Sequence, residues 1–510
     1  GNTILNNSNN QNPDLYISML DSSGNWQWTK QAQGSSNVTA RCIVTDNNGN
    51  SYISGNFITK SLTLGSTTLT NSGQSDIFVA KMNSNGNWLW AKQAGGTSYY
   101  TCNDIVMDNS GNIYITGNFG SSITFGTTPP TILTSNGAGD IFIAKMDSNG
   151  NWLWGKSAGG AEGGFCYGLA VDSNENCYVT GCFDSNITFG STTLTGQADE
   201  DIFIAKMDNN GNWLWAKKAG GPLDNVGYSV AVDNDGNCYA CGYFAESATF
   251  GNYTVTSNTG DGSYGAKLDS NGSWLWVASA NTPTPDGFAV DNNGNSYVAG
   301  SFYYSATFGT ITLTSSNYWD IFVAKLDSNG NWLWVKQAGG TVRDYCSGLT
   351  IDDSGNSFIS GYFSSSATFG NTTLTSRGKD DIFVARLDSN GNWIWINQAG
   401  GTSNDYVYDI AADTNGNKYI VGNFFGNATF GNTTLTCNGY DNIYVAKLRM
   451  PYFLNNIPVV EQGISVTVSG GDADKGVIND DFPPVPNPNV TYSKYNFVLD
   501  NSISNWTITF

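Results

Sequence analysis

Residues 167–221 read YGLAVDSNENCYVTGCFDSNITFGSTTLTGQADEDIFIAKMDNNGNWLWAKKAGG, and this stretch decides the fold. It holds four short segments rich in β-branched and aromatic residues: YGLAVD, CYVTGCF, DIFIAKMD and WLWAKKAGG. None has helical periodicity, so each is expected to be a strand; they are named A, B, C and D here. The turns DSNEN (A to B) and DNNGN (C to D) are short and rich in Asp and Asn. With Gly in the left-handed position, they match a type I turn closed by a one-residue bulge, and the Asp side chain caps its own turn. B and C are joined by a longer connection containing ITFGSTTLT.

The unit recurs through the chain. The pairs Trp26/Trp28, Trp88/Trp90, Trp152/Trp154, Trp213/Trp215, Trp274/Trp276, Trp332/Trp334 and Trp393/Trp395 follow one another at spacings of 62, 64, 61, 61, 58 and 61 residues. Asp46, Asp108, Asp172, Asp233, Asp291, Asp352 and Asp413 each end a strand A. Gly follows three residues later, except where Glu175 replaces it. A four-stranded antiparallel unit with two apolar faces must stack against copies of itself, and radial stacking closes a ring. The expectation is an all-β, seven-bladed β-propeller of four-stranded antiparallel blades over residues 1–450. The two indoles on one face of strand D would pack on the neighbouring blade.

The cassette DIFVAKMDSNGNWLWAKQAGG … AVDSNGNxYVTGxF, which covers about residues 14 to 448, resembles the bacterial seven-bladed β-propeller repeat family. Similar Asn- and Thr-rich copies occur in giant-virus proteins. The resemblance implies a fold and a surface setting, and it carries no catalytic residue. The C-to-D turn is also close to the Asp box of sialidase propellers and to the tryptophan-docking motif of quinoprotein propellers. The first parallel departs by one residue between Asp and Gly, and neither transfers an activity.

Composition narrows the function. A net charge of −20 disfavours nucleic acid and anionic membrane, and no apolar run approaches a membrane span. The cations Lys81, Lys145, Lys206, Lys267, Lys325, Arg386 and Lys447 fill one repeated slot, as a structural feature would. The chain has no histidine, which removes the usual triad base and the commonest metal ligand. Most Asp residues sit in turn slots, while Asp224, Asp344 and Asp405 stand outside them. The DNNGN turns lack the closing Glu of a calcium loop. Nine cysteines show no disulfide framework, and Cys238 and Cys241, three apart on a strand, face opposite ways. No catalytic residue, metal site or cofactor is expected.

A ligand would bind on the D-to-A loops, which vary most between units and emerge on one face. Their aromatics Tyr99, Tyr100, Phe165, Tyr228, Tyr345 and Tyr406 are the candidate binding residues. The expected role is that of a non-enzymatic, extracellular or surface-exposed propeller on a bacterial cell or virus particle, serving display, adhesion or assembly. The alternative is a carbohydrate-binding, lectin-like module on that loop face. Expected partners are other proteins or further copies of the chain, with surface glycans under the alternative. Residues 451–510 hold six of the twelve prolines and alternate like strands, giving a small β appendage that could mediate assembly.

Ring closure can be counted in advance. The N-terminus supplies C and D segments (about 15–20 and 25–31) and the last repeat supplies A, B and another C. The final blade should therefore mix both chain ends, with one C copy surplus, either Leu15–Leu20 or Ile443–Leu448.

Overall fold

The computed structural model describes the backbone of residues 15–20, 26–34, 38–413, 417–424, 427–430, 433–436 and 442–448, apart from 59, 198, 199 and 283, with two short strands at 467–468 and 508–509. The described residues are all β, without a helix. The chain divides into two units, 1–450 and 451–510. In the smaller one Thr467–Val468 pairs antiparallel with Ile508–Thr509. The rest of the expected appendage lies outside the described residues.

In the second repeat, strands A (Tyr100–Met107), B (Ile113–Phe119), C (Asp140–Met146) and D (Trp152–Ala158) form one antiparallel sheet in that order. Strand B is buried on both faces; Cys177–Phe183 is buried at every residue. That requires a neighbouring sheet on each side. Among the described residues, seven inner strands (Val38–Thr45, Tyr100–Met107, Gly164–Val171, Asn225–Val232, Thr284–Val290, Asp344–Ile351 and Asp405–Ala412) neighbour one another in chain order. The last packs beside the first, so the sheets form a closed, propeller-type ring.

The turns form as their residues dictate. Asp172 Oδ1 accepts the N–H groups of Asn174 and Asn176, and its Oδ2 accepts the Asn176 amide. Glu175, in the slot that is Gly elsewhere, adopts φ +63°. Its carboxylate compensates by reaching the preceding unit, at 3.0 Å from Lys145 Nζ and 2.6 Å from Ser110 Oγ.

The repeated cations are internal ties. Lys206 lies 4.7 Å from the Tyr178 ring centroid and 3.7 Å from Asp172, with the Tyr178 hydroxyl donating to the same carboxylate at 3.1 Å. A desolvated cation over an aromatic face contributes about 2 kcal/mol. Tyr52, Tyr114, Tyr239 and Tyr297 repeat the arrangement with Lys81, Lys145, Lys267 and Lys325.

The Trp-x-Trp pairs join one unit to the next. Trp90 Nε1 donates to Ser148 O, in the C-to-D turn of the following repeat, at 3.2 Å. Trp154, Trp215, Trp276 and Trp334 do the same one unit on. Gly150 (φ +82°) closes that turn, and a Cβ there would stand 3.1 Å from the Trp90 ring. Side chains of 26–34 lie outside the described residues.

The ITFGSTTLT connection is more than a connection. Ser122–Phe125 and Thr131–Thr134 form a hairpin, and Thr124 and Phe125 pair with Gly95 and Ala94 on strand D of the preceding unit. In later repeats B and C simply run on into this hairpin, as in Ser357–Phe369 and Thr372–Leu387. The outer edge of each sheet is thereby partly covered by its neighbour.

At closure the sheet order is Asp405–Ala412, Lys418–Phe424, Asn442–Leu448, Leu15–Leu20, Trp26–Gly34. Neither copy of strand C is displaced. Leu15–Leu20 inserts between Asn442–Leu448, to which it is parallel at Leu15↔Ile443, and Trp26–Gly34, to which it is antiparallel. The D strand Trp26–Gly34 then takes up the hairpin of the first repeat, as elsewhere in the ring.

Candidate functional site

The A–B ladder breaks once in each repeat. Pairing skips Arg41, Asn103, Tyr167, Tyr228, Asp286, Ser347 and Tyr408, each a one-residue bulge. A bulge re-aims its extra side chain, and all seven of these residues line one cavity of about 560 Å³ at the centre of the ring.

The residue after the bulge is Asp in two repeats, and both carboxylates are clasps. Asp104 Oδ2 accepts the N–H of Leu169, on the next inner strand, at 2.8 Å, while Oδ1 accepts the N–H of Ile105 at 2.7 Å. Asp409 spans the closure: Oδ2 accepts Ile43 N–H at 3.2 Å and Oδ1 accepts Ile410 N–H at 2.7 Å. Burial, then the charge of Asp409, raises Asp104 to about 8; burial raises Asp409 to about 7. Asp286 lines the cavity with an exposed side chain, yet the surrounding protein raises it by burial to about 7. Among the described residues no three His, Cys, Asp or Glu side chains gather as a metal site.

The D-to-A face carries the aromatics singled out from sequence, and the structure divides them. Tyr99 is 50 % exposed and Phe165 is 47 % exposed, the latter stacked on Tyr167 at 6.3 Å. Tyr228 is the bulge residue of its strand and faces the channel, 5.8 Å from Tyr167. Tyr100 departs from the expectation. It opens strand A on the core side, is 0 % exposed, and donates its hydroxyl to Ser122 O at 2.6 Å. Strand alternation sends Tyr99 outward and Tyr100 inward.

Tyr345 and Tyr406 belong to a row of rings that the loops alone did not disclose. Tyr303 faces Trp319 across the B–C ladder of the fifth repeat, with centroids 5.8 Å apart and planes at 29°. Tyr345 faces Tyr362 across the A–B ladder of the sixth, at 5.2 Å. Trp319 meets Tyr345 between repeats, at 5.7 Å and 30°. Tyr362 meets Tyr406 of the seventh at 4.8 Å, and Tyr304 adds a ring 4.0 Å from Tyr303. Beneath the row, the buried carboxylate of Asp380 accepts from Arg343 Nη2 at 2.7 Å, from Tyr406 Oη at 3.3 Å and from Ser364 Oγ. Asp344 and Asp405, outside the turn slots, brace the loops by accepting the N–H groups of Gly340 and Gly401.

Comparison with known proteins places these repeats. A family model described as a beta-propeller repeat matches residues 89–118, 333–362 and 394–423, each running from strand D of one unit to strand B of the next. The chain carries repeats of the β-propeller repeat family. An uncharacterized WD repeat-containing protein of Acanthamoeba polyphaga mimivirus is 23% identical, over 66% of this propeller chain and 31% of its own length. The regulatory protein FlaEY of Caulobacter vibrioides is 24% identical, over 66% of this chain and 38% of its own. The propeller chain thus spans under two fifths of either relative. Among solved structures, an apocarotenoid oxygenase of Synechocystis aligns over 86% of this chain and 97% of its own at 8% identity and a TM-score of 0.40, too low to carry an argument.

Proposed function

We propose that the chain is a non-enzymatic, seven-bladed binding propeller, displayed outside a cell or on a particle surface and acting in adhesion or assembly through the D-to-A face. The observation that carries this reading is the use of the perturbed channel acids. Asp104 and Asp409 each hold an N–H of a neighbouring inner strand. A carboxyl clasping backbone in this way supports ring integrity. The absence of histidine and the acidic, largely uncharged surface favour the same reading.

A screen of glycoside, ester, phosphoester and lyase substrates tests it. The expected result is no turnover above a heat-denatured control. Turnover abolished in both Asp104→Asn and Asp409→Asn would overturn the proposal.

Assembly has support of its own at the rim. Between the two indoles of strand D the middle side chain is exposed in every described repeat: Leu89, Leu153, Leu214, Leu275, Leu333 and Ile394. A regularly spaced apolar belt is suited to contact with other molecules. Sedimentation of the wild type against a Leu89→Ser, Leu214→Ser, Leu333→Ser triple variant checks this, with a smaller species expected from the variant. Identical sedimentation would count against assembly through the rim.

A further inference from the structure

We infer that the row Tyr304–Tyr303–Trp319–Tyr345–Tyr362–Tyr406 is a binding site for a neutral oligosaccharide. This rests on the reading of the chain as a binding propeller and names the ligand class.

The fold does not require these rings. The ladders align Trp319 with Asp261 and Asp380 of the adjoining repeats, and Tyr303 with Ala245 and Ser364. Tyr362 is matched by Asn56, Asn118, Cys182, Tyr243 and Ser301, and Tyr345 by Thr39, Thr101, Phe165, Val226 and Thr284. Non-aromatic residues therefore satisfy most of these places elsewhere in the ring, and no other repeat sets aromatics at all of them. Trp319 is also one of only two tryptophans outside the repeated pairs, the other being Trp506.

Tyr304 strengthens the point. It sits in the left-handed region (φ +61°), at the bulge position where other repeats place Ser185, Glu246 and Ser365. That conformation is unfavourable for a bulky residue, and yet the ring is 63 % exposed. Core packing does not account for an aromatic there.

The geometry matches sugar recognition. Trp319 lies 5.7–5.8 Å from Tyr303 and Tyr345 at 29–30°. These separations exceed the ~3.5 Å of direct ring overlap, so the rings are shingled and leave part of each face open. Such faces suit the C–H surface of a pyranose, while the phenolic edges and fixed polar groups meet its hydroxyls. Arg343, half exposed, donates an N–H group to Asp380, and its charge is balanced by that carboxylate. A neutralised guanidinium in a chain of net charge −20 favours an uncharged ligand over an acidic glycan. A proline-rich peptide would also stack on aromatic rings, and decaproline in the test separates that class from a sugar.

The test uses the full chain and a panel of hexasaccharides of glucose, N-acetylglucosamine, xylose and mannose, with decaproline and a hexamer of galacturonic acid as competing classes. Binding is followed by calorimetry. At least one neutral hexasaccharide should bind, Trp319→Ala and Tyr345→Ala should each weaken it tenfold or more, and Trp319→Phe should retain most of it. Ile132→Ala, an exposed residue of the outer hairpin in the second repeat, should leave it unchanged, and melting temperatures identify any variant that fails to fold. Absence of binding by every neutral sugar, preference for decaproline or galacturonate, or indifference to both Trp319 variants overturns the inference. None of these outcomes bears on the turnover screen, so the broader reading stands or falls separately.

Discussion

The carboxylate of Asp409 accepts the backbone N–H of Ile43 at 3.2 Å, joining inner strands from positions 366 residues apart in the chain. Together with Thr45 Oγ1 donating to Ala412 O at 3.0 Å, it ties the last inner strand to the first. Asp409→Ala leaves the N–H groups of Ile43 and Ile410 without this acceptor, and each buried unsatisfied donor costs about 1–3 kcal/mol. A urea melt should show a loss of that order, with Asp409→Asn losing less because its amide oxygen still accepts one bond. An unchanged midpoint for Asp409→Ala would mean that the clasp contributes nothing to closure.

Stability should fall as pH rises from about 5 towards 8. Burial raises Asp104 and Asp344 to about 8 and Asp409 and Asp286 to about 7, well above the ordinary carboxylate value. In that window the native state binds more protons than the unfolded chain, so raising the pH favours unfolding. Their contribution is full below the unfolded value and lost as pH passes the folded one. The turn acids act oppositely: the Ser273 N–H, the leading influence on Asp269, holds that carboxylate low. Its contribution is lost only as pH drops below the usual carboxylate range. The melting temperature should therefore peak near pH ~5, and an Asp104→Asn, Asp409→Asn double variant should flatten the alkaline slope. A melting temperature that climbs steadily to pH 8 contradicts this.

Gly159→Ala should be destabilising, because a Cβ there would collide with the Asp140 carboxylate. Overpacking of this kind costs about 1–3 kcal/mol. The same approach recurs at Gly95 with Asp76 and at Gly220 with Asp201, which explains why the AGG ending of strand D accompanies the DIF opening of strand C. The two residues are coupled, so adding Asp140→Ala to Gly159→Ala should cost less than the sum of the single changes. Additive losses in thermal melts would rule out the contact as the cause.

The repeat was legible because its determinants are local. Asp172 capping its own turn and Trp213 with Trp215 on one side of strand D are consequences of residues at most a few positions apart. The hairpin inside the B-to-C connection was legible in principle, since ITF and TTLT alternate about a Gly-Ser turn. Its pairing with the preceding strand D was hidden, because that partner belongs to another unit. The sequence neighbourhood of Tyr100 is that of a loop aromatic, but one step of strand alternation places it in the core. The isolated Trp319 is the signal for the aromatic row, and it stands in a C strand rather than in the D-to-A loops.

The sequence by itself determined the strand, turn and repeat pattern, since side-chain alternation and the left-handed demand of a tight turn act within single segments. Only the tertiary structure decided which side chains of different repeats share a surface. Trp319, Tyr345 and Tyr406 come together, and Asp409 reaches Ile43, because the sheets stack in a closed ring. Those contacts depend on the bulges and on the packing of one sheet upon the next, which no single repeat encodes.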